Sequence, residues 1–415
     1  MKQYEEVFFA LVRTALWKAP LEVPEGFRDW GSVMKLAKSQ AMTGLVADVL
    51  LRSPQILSTL PERFVARLQE IPLENMGVHT VLNNTLIMVV TRLREHGIEP
   101  VLLKGQGLAS YYPVPQLRQC GDIDLYVGVE NYEKAYEVLE PVATEIDDRS
   151  CLVDTKHFHV HVGAVLFEIH RYADILTYRR QNAIYQSYAS EGLTSRLVPV
   201  DFAGCAVNTP ADDFNIYYVF NHFWHHFLTS GVGFRQICDL ACLLYAKKGQ
   251  YDVAKLEKVL NDLDAMYPWQ TFGCIVVDVL GLPQECFPFY KAQKPRRIEL
   301  LLERIIMEGN FGQKGEYSRK HTKSYMAEKV FSLKCHLVRI AQLLRVFPRH
   351  MVIRFHHMLI EGFRQVSKDI TRKRYTYPIN QNQPRTAGLT SYITVSLQAA
   401  GRSCARGRGA SGEGE

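Results

Sequence analysis

The sequence predicts an α+β protein, with a small mixed sheet flanked by a helical N-terminal segment and a larger helical C-terminal domain. Three observations lead there. Apolar residues recur at helical spacing through residues 1–97, as in Phe8, Leu11, Val12, Leu16 and Trp17. Residues 98–175 change to short apolar runs, several of period two, bounded by glycine and proline. After Thr209 the helical spacing returns and fills most of the chain to about Arg372. The expected divisions are a helical segment at 1–97, a sheet core at 98–205, a helical domain at 206–380 and a disordered tail at 381–415. The tail is rich in glycine, serine and arginine, a composition with too little apolar surface to fold.

Within the first segment a long helix is predicted from Arg63 to His96. An interruption is expected at Pro72, which lacks an N–H and crowds the preceding turn. Gly97 suits the left-handed position that closes a helix. Pro100–Leu103 then reads as a buried strand running into Lys104-Gly105-Gln106-Gly107. A glycine turn at the end of a strand can present backbone N–H groups to a phosphate, and Lys104 adds a positive charge there. The next strand carries Asp122-Ile123-Asp124. Residues two apart on a strand point to one face, so both carboxylates project together. Both ionise readily only with a cation between them, which suits a hard divalent metal such as Mg²⁺ carrying a phosphate. Arg118 lies four residues before Asp122 and can reach a phosphate or pair with an aspartate. Asn131–Glu140 is expected as a crossover helix ended by Pro141.

Two alternating segments follow, His157–Val162 and Val165–His170, joined at Gly163 as a hairpin. Glu168 and His170 share one face of the second strand, and Phe167 and Ile169 the other. Glu168 is thus a third carboxylate, delivered from a neighbouring strand. His157, His159 and His161 alternate along the first strand. Imidazole suits Zn²⁺, but no cysteine or carboxylate completes a tetrahedral set at recognisable spacing, so the polar face of a half-buried strand is the preferred reading. Three carboxylates on adjacent strands support a two-metal site for displacement at phosphorus.

The run Leu103-Lys104-Gly105, then Arg118 and Gly121-Asp122-Ile123-Asp124-Leu125, then Phe167-Glu168-Ile169-His170 resembles the uncharacterised nucleotidyltransferase family of bacteria. That family belongs to the DNA polymerase beta-like nucleotidyltransferase superfamily. Its pattern is a glycine-containing turn, a D-x-D on the next strand and a third carboxylate on a later one. The likeness continues through Asp213-Phe214, His222, His225, His226-Phe227, Gly233, Arg235 and Asp239-Leu240, and covers residues 30–300. It implies two Mg²⁺ ions, with Mn²⁺ as a substitute, and transfer of a nucleoside monophosphate from an NTP such as ATP with release of pyrophosphate. Asp122, Asp124 and Glu168 would be the catalytic metal ligands. Lys104 and Gly105, with Arg118, would hold the triphosphate. Arg235 and Asp239 lie i, i+4 on a helix, which reads first as an intrahelical ion pair; the functional reading has Arg235 reaching a phosphate with Asp239 orienting it. Superfamily members carry Gly-Ser or Gly-Gly where this chain has Lys104-Gly105. The acceptor is left open among a small molecule, a protein hydroxyl and an RNA end. Two other readings share the D-x-D: a metal-dependent glycosyltransferase, and a non-catalytic binding module with the same fold. The first would want a doubly wound sheet before the motif, where residues 1–97 read as helical.

The remaining signals bound the protein's surroundings. No stretch reaches about 18 uninterrupted apolar residues, and the N-terminus is polar and acidic, unlike a secretory signal. Nine scattered cysteines without a C-x-x-C suggest free thiols in a reducing cytoplasm. The net charge of +6 is concentrated: residues 291–375 hold twenty Lys/Arg against seven Asp/Glu. Part of this stretch, Met326–Phe363, is amphipathic with a break at Pro348. Packing against the core is expected of it rather than contact with a membrane surface.

Overall fold

The computed structural model describes residues 1–153, 155–176, 178–310, 325–356, 358 and 360. The predicted tail at 381–415 lies outside the described residues, as does the end of the basic stretch. In chain order the structure begins with helices α1 (Gln3–Trp17), α2 (Trp30–Ser39), α3 (Thr43–Leu51), α4 (Pro54–Leu57) and α5 (Glu62–Glu95). Strand β1 (Val101–Leu102), helix α6 (Gln106–Ala109), β2 (Ile123–Tyr126), α7 (Tyr132–Leu139), β3 (Glu145–Ile146), β4 (His157–Val162), β5 (Val165–His170), α8 (Arg179–Thr194), β6 (Val198–Phe202) and β7 (Cys205–Thr209) follow. The rest is helical: α9 (Asp212–Thr229), α10 (Phe234–Ala246), α11 (Val253–Asp262), α12 (Met266–Cys274), α13 (Pro295–Glu308) and α14 (Tyr325–Leu343). The α+β class read from the sequence is the class observed, with a mixed sheet and helices on both sides of it in sequence. No helix of the described residues is long and apolar enough to cross a membrane.

The chain forms two compact units. One runs from Ser53 to Ala211 and holds the sheet, ordered β3-β4-β5-β2-β1-β7-β6. The β2–β5 and β1–β7 pairs are parallel and the others antiparallel. Period-two patterning gives the sheet two different faces. Ile123, Leu125, Val127, Phe158, Val160, Val165, Phe167 and Ile169 are all buried in one core with Leu82, Leu86 and Val90 of α5 and Tyr132, Ala135 and Leu139 of α7. Full burial of each such side chain is worth about 1.5–3 kcal/mol. That packing fixes the register, because a slip of one residue would turn the apolar set outward. The opposite face carries Asp124, Glu168 and His170, together with His157, His159 and His161.

Helix α5 departs from expectation by running unbroken through Pro72. The buried stripe Leu68, Ile71, Asn75, Val78, His79, Leu82, Leu86 continues across the proline, so packing on both sides holds the helix where local propensity would break it. Its end follows the sequence: Gly97 has φ +73°, and Ile98 N–H returns to the Leu93 carbonyl at 2.9 Å. The helix expected to start at Pro210, capped by Thr209, begins two residues later, at Asp212. Thr209 closes β7, and its hydroxyl donates to the Val198 carbonyl across the β6–β7 hairpin.

The other unit joins Met1–Arg52 to the described residues from Asp212 on. Gln40, fully buried at the end of α2, donates to the Ile305 carbonyl and accepts from Phe234 N–H at the start of α10. Arg339 of α14 is buried against Glu308 of α13 and the Phe227 carbonyl. In the basic stretch, α14 ends at Leu343 and the chain is helical again over 348–356, so the break falls over 344–347 and Pro348 opens the next helical segment. Phe347 and Met351 are fully buried there, with Phe347 4.7 Å from the Trp224 ring.

Candidate active site

The parallel pairing of β2 with β5 sets Asp124 directly beside Glu168. Asp122 stands just before β2, and each of the three carboxylates offers an oxygen within 4.8 Å of the other two. Behind them the glycine turn closes in. Gly105 has φ +54°, and a Cβ there would lie 3.4 Å from the Asp122 carbonyl. The left-handed φ is what a side chain at this position would strain. Leu103 N–H donates to the Asp124 carbonyl at 3.0 Å, so the turn is tied to the strand bearing the motif. Lys104 Nζ lies 2.9 Å from Asp124 Oδ1.

An oxygen-only trio of this spacing matches the ligand preference of Mg²⁺. A family model described as "Uncharacterised nucleotidyltransferase" matches residues 27–276. The chain belongs to that nucleotidyltransferase family. Among curated proteins no match was found. The crystal structure of ANT(2″)-Ia in complex with adenylyl-2″-tobramycin is similar at 11% identity and TM-score 0.32, covering 45% of this chain and 99% of that one. A nucleotidyltransferase-like antigenic protein from Paracoccidioides brasiliensis is similar at 13% identity and TM-score 0.30, covering 48% and 92%.

The charges of this carboxylate cluster are tightly compensated. Asp124 is only 2% exposed. Burial alone would raise its carboxyl pKa, but Lys104 and a hydrogen bond from His170 hold it below the ordinary value. Lys104 shows the converse: burial works against its charge, and the Asp124, Glu168 and Asp122 carboxylates more than restore it. Glu168 is likewise held down, against burial, by His159, His170 and Lys104. His170 Nε2 lies 3.1 Å from Asp124 Oδ1 and 3.3 Å from Glu168 Oε2, and these carboxylates raise its pKa despite complete burial. The Glu168 carboxylate, 3.6 Å from Nε2, opposed by burial and helped by Asp147, pushes His159 up to about 9. His157 moves the other way, down to about 4, because burial and the neighbouring imidazoles outweigh Glu168.

Asp122, Asp124, Glu168, Lys104 and Gly105 come together on and beside one sheet face. Arg118 is buried, and its guanidinium donates to Cys120 Sγ at 3.0 Å and to the Gln119 carbonyl at 3.5 Å, while its carbonyl takes His79 Nε2 at 2.7 Å. Arg235 lies in the first turn of α10 in the other unit, with Asp239 one turn on and buried. His222 and His226 of α9 stack edge to face at 4.5 Å. Sequence reasoning missed the partners of Glu168. The β4–β5 register puts His157 opposite His170 and His159 opposite Glu168, and Asp147 fixes His159 Nδ1 at 2.8 Å. The eight described cysteines are all free thiols, and Cys404 lies outside the described residues.

Proposed function

We propose that the protein transfers a nucleoside monophosphate from an NTP, ATP in the first instance, to an acceptor hydroxyl with release of pyrophosphate. The observation that carries this reading is the side-by-side placement of Asp124 and Glu168 on parallel strands, with Asp122 on the same cluster. The trio is fit to hold two Mg²⁺ ions, or Mn²⁺ in their place. When bound, such ions neutralise the phosphates and lower the pKa of the attacking hydroxyl. Asp122, Asp124 and Glu168 would hold the cations. The acceptor oxygen forms a bond to the α-phosphorus as the bond from that phosphorus to the β-phosphate bridging oxygen breaks. Its proton passes to a carboxylate or water at Glu168. Lys104 balances the trio, and Lys104, Gly105 and Arg118 are assigned to the triphosphate. Residues 98–205 are the catalytic core in this reading, and the cytoplasm, where NTP and Mg²⁺ are abundant, is the compartment.

The test is thermal stabilisation of wild type and Asp124→Asn by ATP, CTP, GTP, UTP and UDP-sugars, each with and without Mg²⁺. A ligand that binds the native state raises its melting temperature by mass action. The expected result is a Mg²⁺-dependent shift with one NTP, lost in Asp124→Asn. A shift with UDP-sugars alone would replace the reading with a glycosyltransferase. No shift with any nucleotide would leave a binding module.

A further inference from the structure

His157, Glu168 and His170 make a second constellation on the same sheet face. Their ligand atoms all lie within 4.8 Å of one another. His170 Nε2 is 3.3 Å and His157 Nδ1 3.8 Å from the same oxygen, Glu168 Oε2. An ion bound at the Zn–N and Zn–O lengths of about 2.1 Å separates tetrahedral ligands by about 3.4 Å. The two observed spacings bracket that value. Two further features point to a ligand here. His157 Nδ1 is shielded from solvent and makes no hydrogen bond, whereas buried polar atoms ordinarily have one. His170 Nδ1 faces the Tyr172 carbonyl at 3.3 Å, and a backbone acceptor at one ring nitrogen is what orients the other toward a metal. The second oxygen of Glu168 is engaged separately, by His159 Nε2 at 3.6 Å, with His159 itself braced by Asp147.

We propose that His157, Glu168 and His170 form a nitrogen-rich site for a first-row transition ion of the Zn²⁺ class. Two imidazoles and one carboxylate suit Zn²⁺, Co²⁺ or Mn²⁺, whereas Mg²⁺ and Ca²⁺ prefer oxygen alone. The hairpin register supplies the carboxylate and the third ligand that the histidine strip by itself lacks. The site shares Glu168 with the trio assigned to Mg²⁺, but it does not depend on the transfer reaction, and its occupancy is read directly.

The experiment uses the full chain, stripped by a chelator and titrated with Co²⁺ without nucleotide. Visible d–d absorption reports nitrogen ligation, and elemental analysis after dialysis gives stoichiometry. One retained equivalent of Co²⁺ is expected, resistant to excess Mg²⁺. His157→Ala should weaken it by at least about tenfold, the scale on which even outer partners of a metal act. His161→Ala, on the same strand face but opposite Leu166, should bind as wild type does. His157→Gln repeats the test should the alanine variant be misfolded by circular dichroism. Asp122→Asn separates this site from the proposed function, because it should lose the Mg²⁺-dependent NTP shift and keep Co²⁺. Displacement of Co²⁺ by equal Mg²⁺, equal affinity in His157→Ala, or no retained Co²⁺ would overturn the proposal.

Discussion

At the scale of the residue, Lys104 stands among the carboxylates as a built-in cation. With its Nζ 2.9 Å from a 2%-exposed aspartate, it stabilises Asp124 in the charged form. Lys104→Met should therefore lower stability by about 1.5–3 kcal/mol, the range for hydrogen bonds to charged groups, with His170 sparing Asp124 a larger loss. Urea unfolding measures it, and an unchanged midpoint would mean the pair contributes nothing. The three carboxylates were legible because D-x-D and period-two alternation are local signals. The histidine partners of Glu168 were not, because they depend on which residues face each other across the hairpin. That information was present all the same. Val162 pairs with Val165 around Gly163, and counting back from that pair sets His159 against Glu168 and His157 against His170. Arg118 was beyond such counting. Its sulfur and carbonyl partners depend on how a loop folds back on itself.

At the scale of the element, α5 shows where local chemistry was overruled. Pro72 sits eleven residues inside a 34-residue helix, where it leaves the Leu68 carbonyl without its usual N–H donor. The apolar stripe on either side holds the helix regardless, a tertiary effect that no window of propensities contains. Pro72→Ala restores the N–H without adding bulk. It should raise stability by about 1–2 kcal/mol, less than the full proline penalty because alanine also frees the unfolded chain. Differential scanning calorimetry checks the sign; a lower melting temperature would show that the backbone is kinked around the proline and needs it. The hairpin, the D-x-D strand and the Gly97 stop were all legible, since each is written in contiguous residues. The Thr209 start was displaced because strand pairing claimed the threonine first.

At the scale of the whole molecule, contiguous reading meets its limit. Met1–Arg52 joins the helices after Asp212 in one compact unit, although 159 residues of the other unit separate them in sequence. Composition says each segment is helical and amphipathic; it does not say which apolar faces meet. Part of the connection is polar and specific. Gln40 has no exposed surface, and its amide serves three backbone groups far along the chain, the Ile305 carbonyl at 3.2 Å, the Ile306 carbonyl at 3.4 Å and Phe234 N–H at 3.0 Å. Phe234 opens α10, so its N–H is one of the orphan donors of a helix start, and here the partner comes from residue 40. Gln40→Leu keeps the volume and strips these bonds, leaving Phe234 N–H a buried donor without its partner, while the Ile305 carbonyl keeps the Gly309 N–H at 3.0 Å. An unsatisfied buried donor costs about 1–3 kcal/mol, and a loss of that size is expected. Hydrogen exchange at the Phe234 amide locates the effect. Protection there should fall in step with the unfolding free energy, while amides of β2 and β5 in the other unit hold theirs. Equal loss in both units would mean that they unfold as one, and no loss at Phe234 would mean that Gln40 is not what satisfies the start of α10.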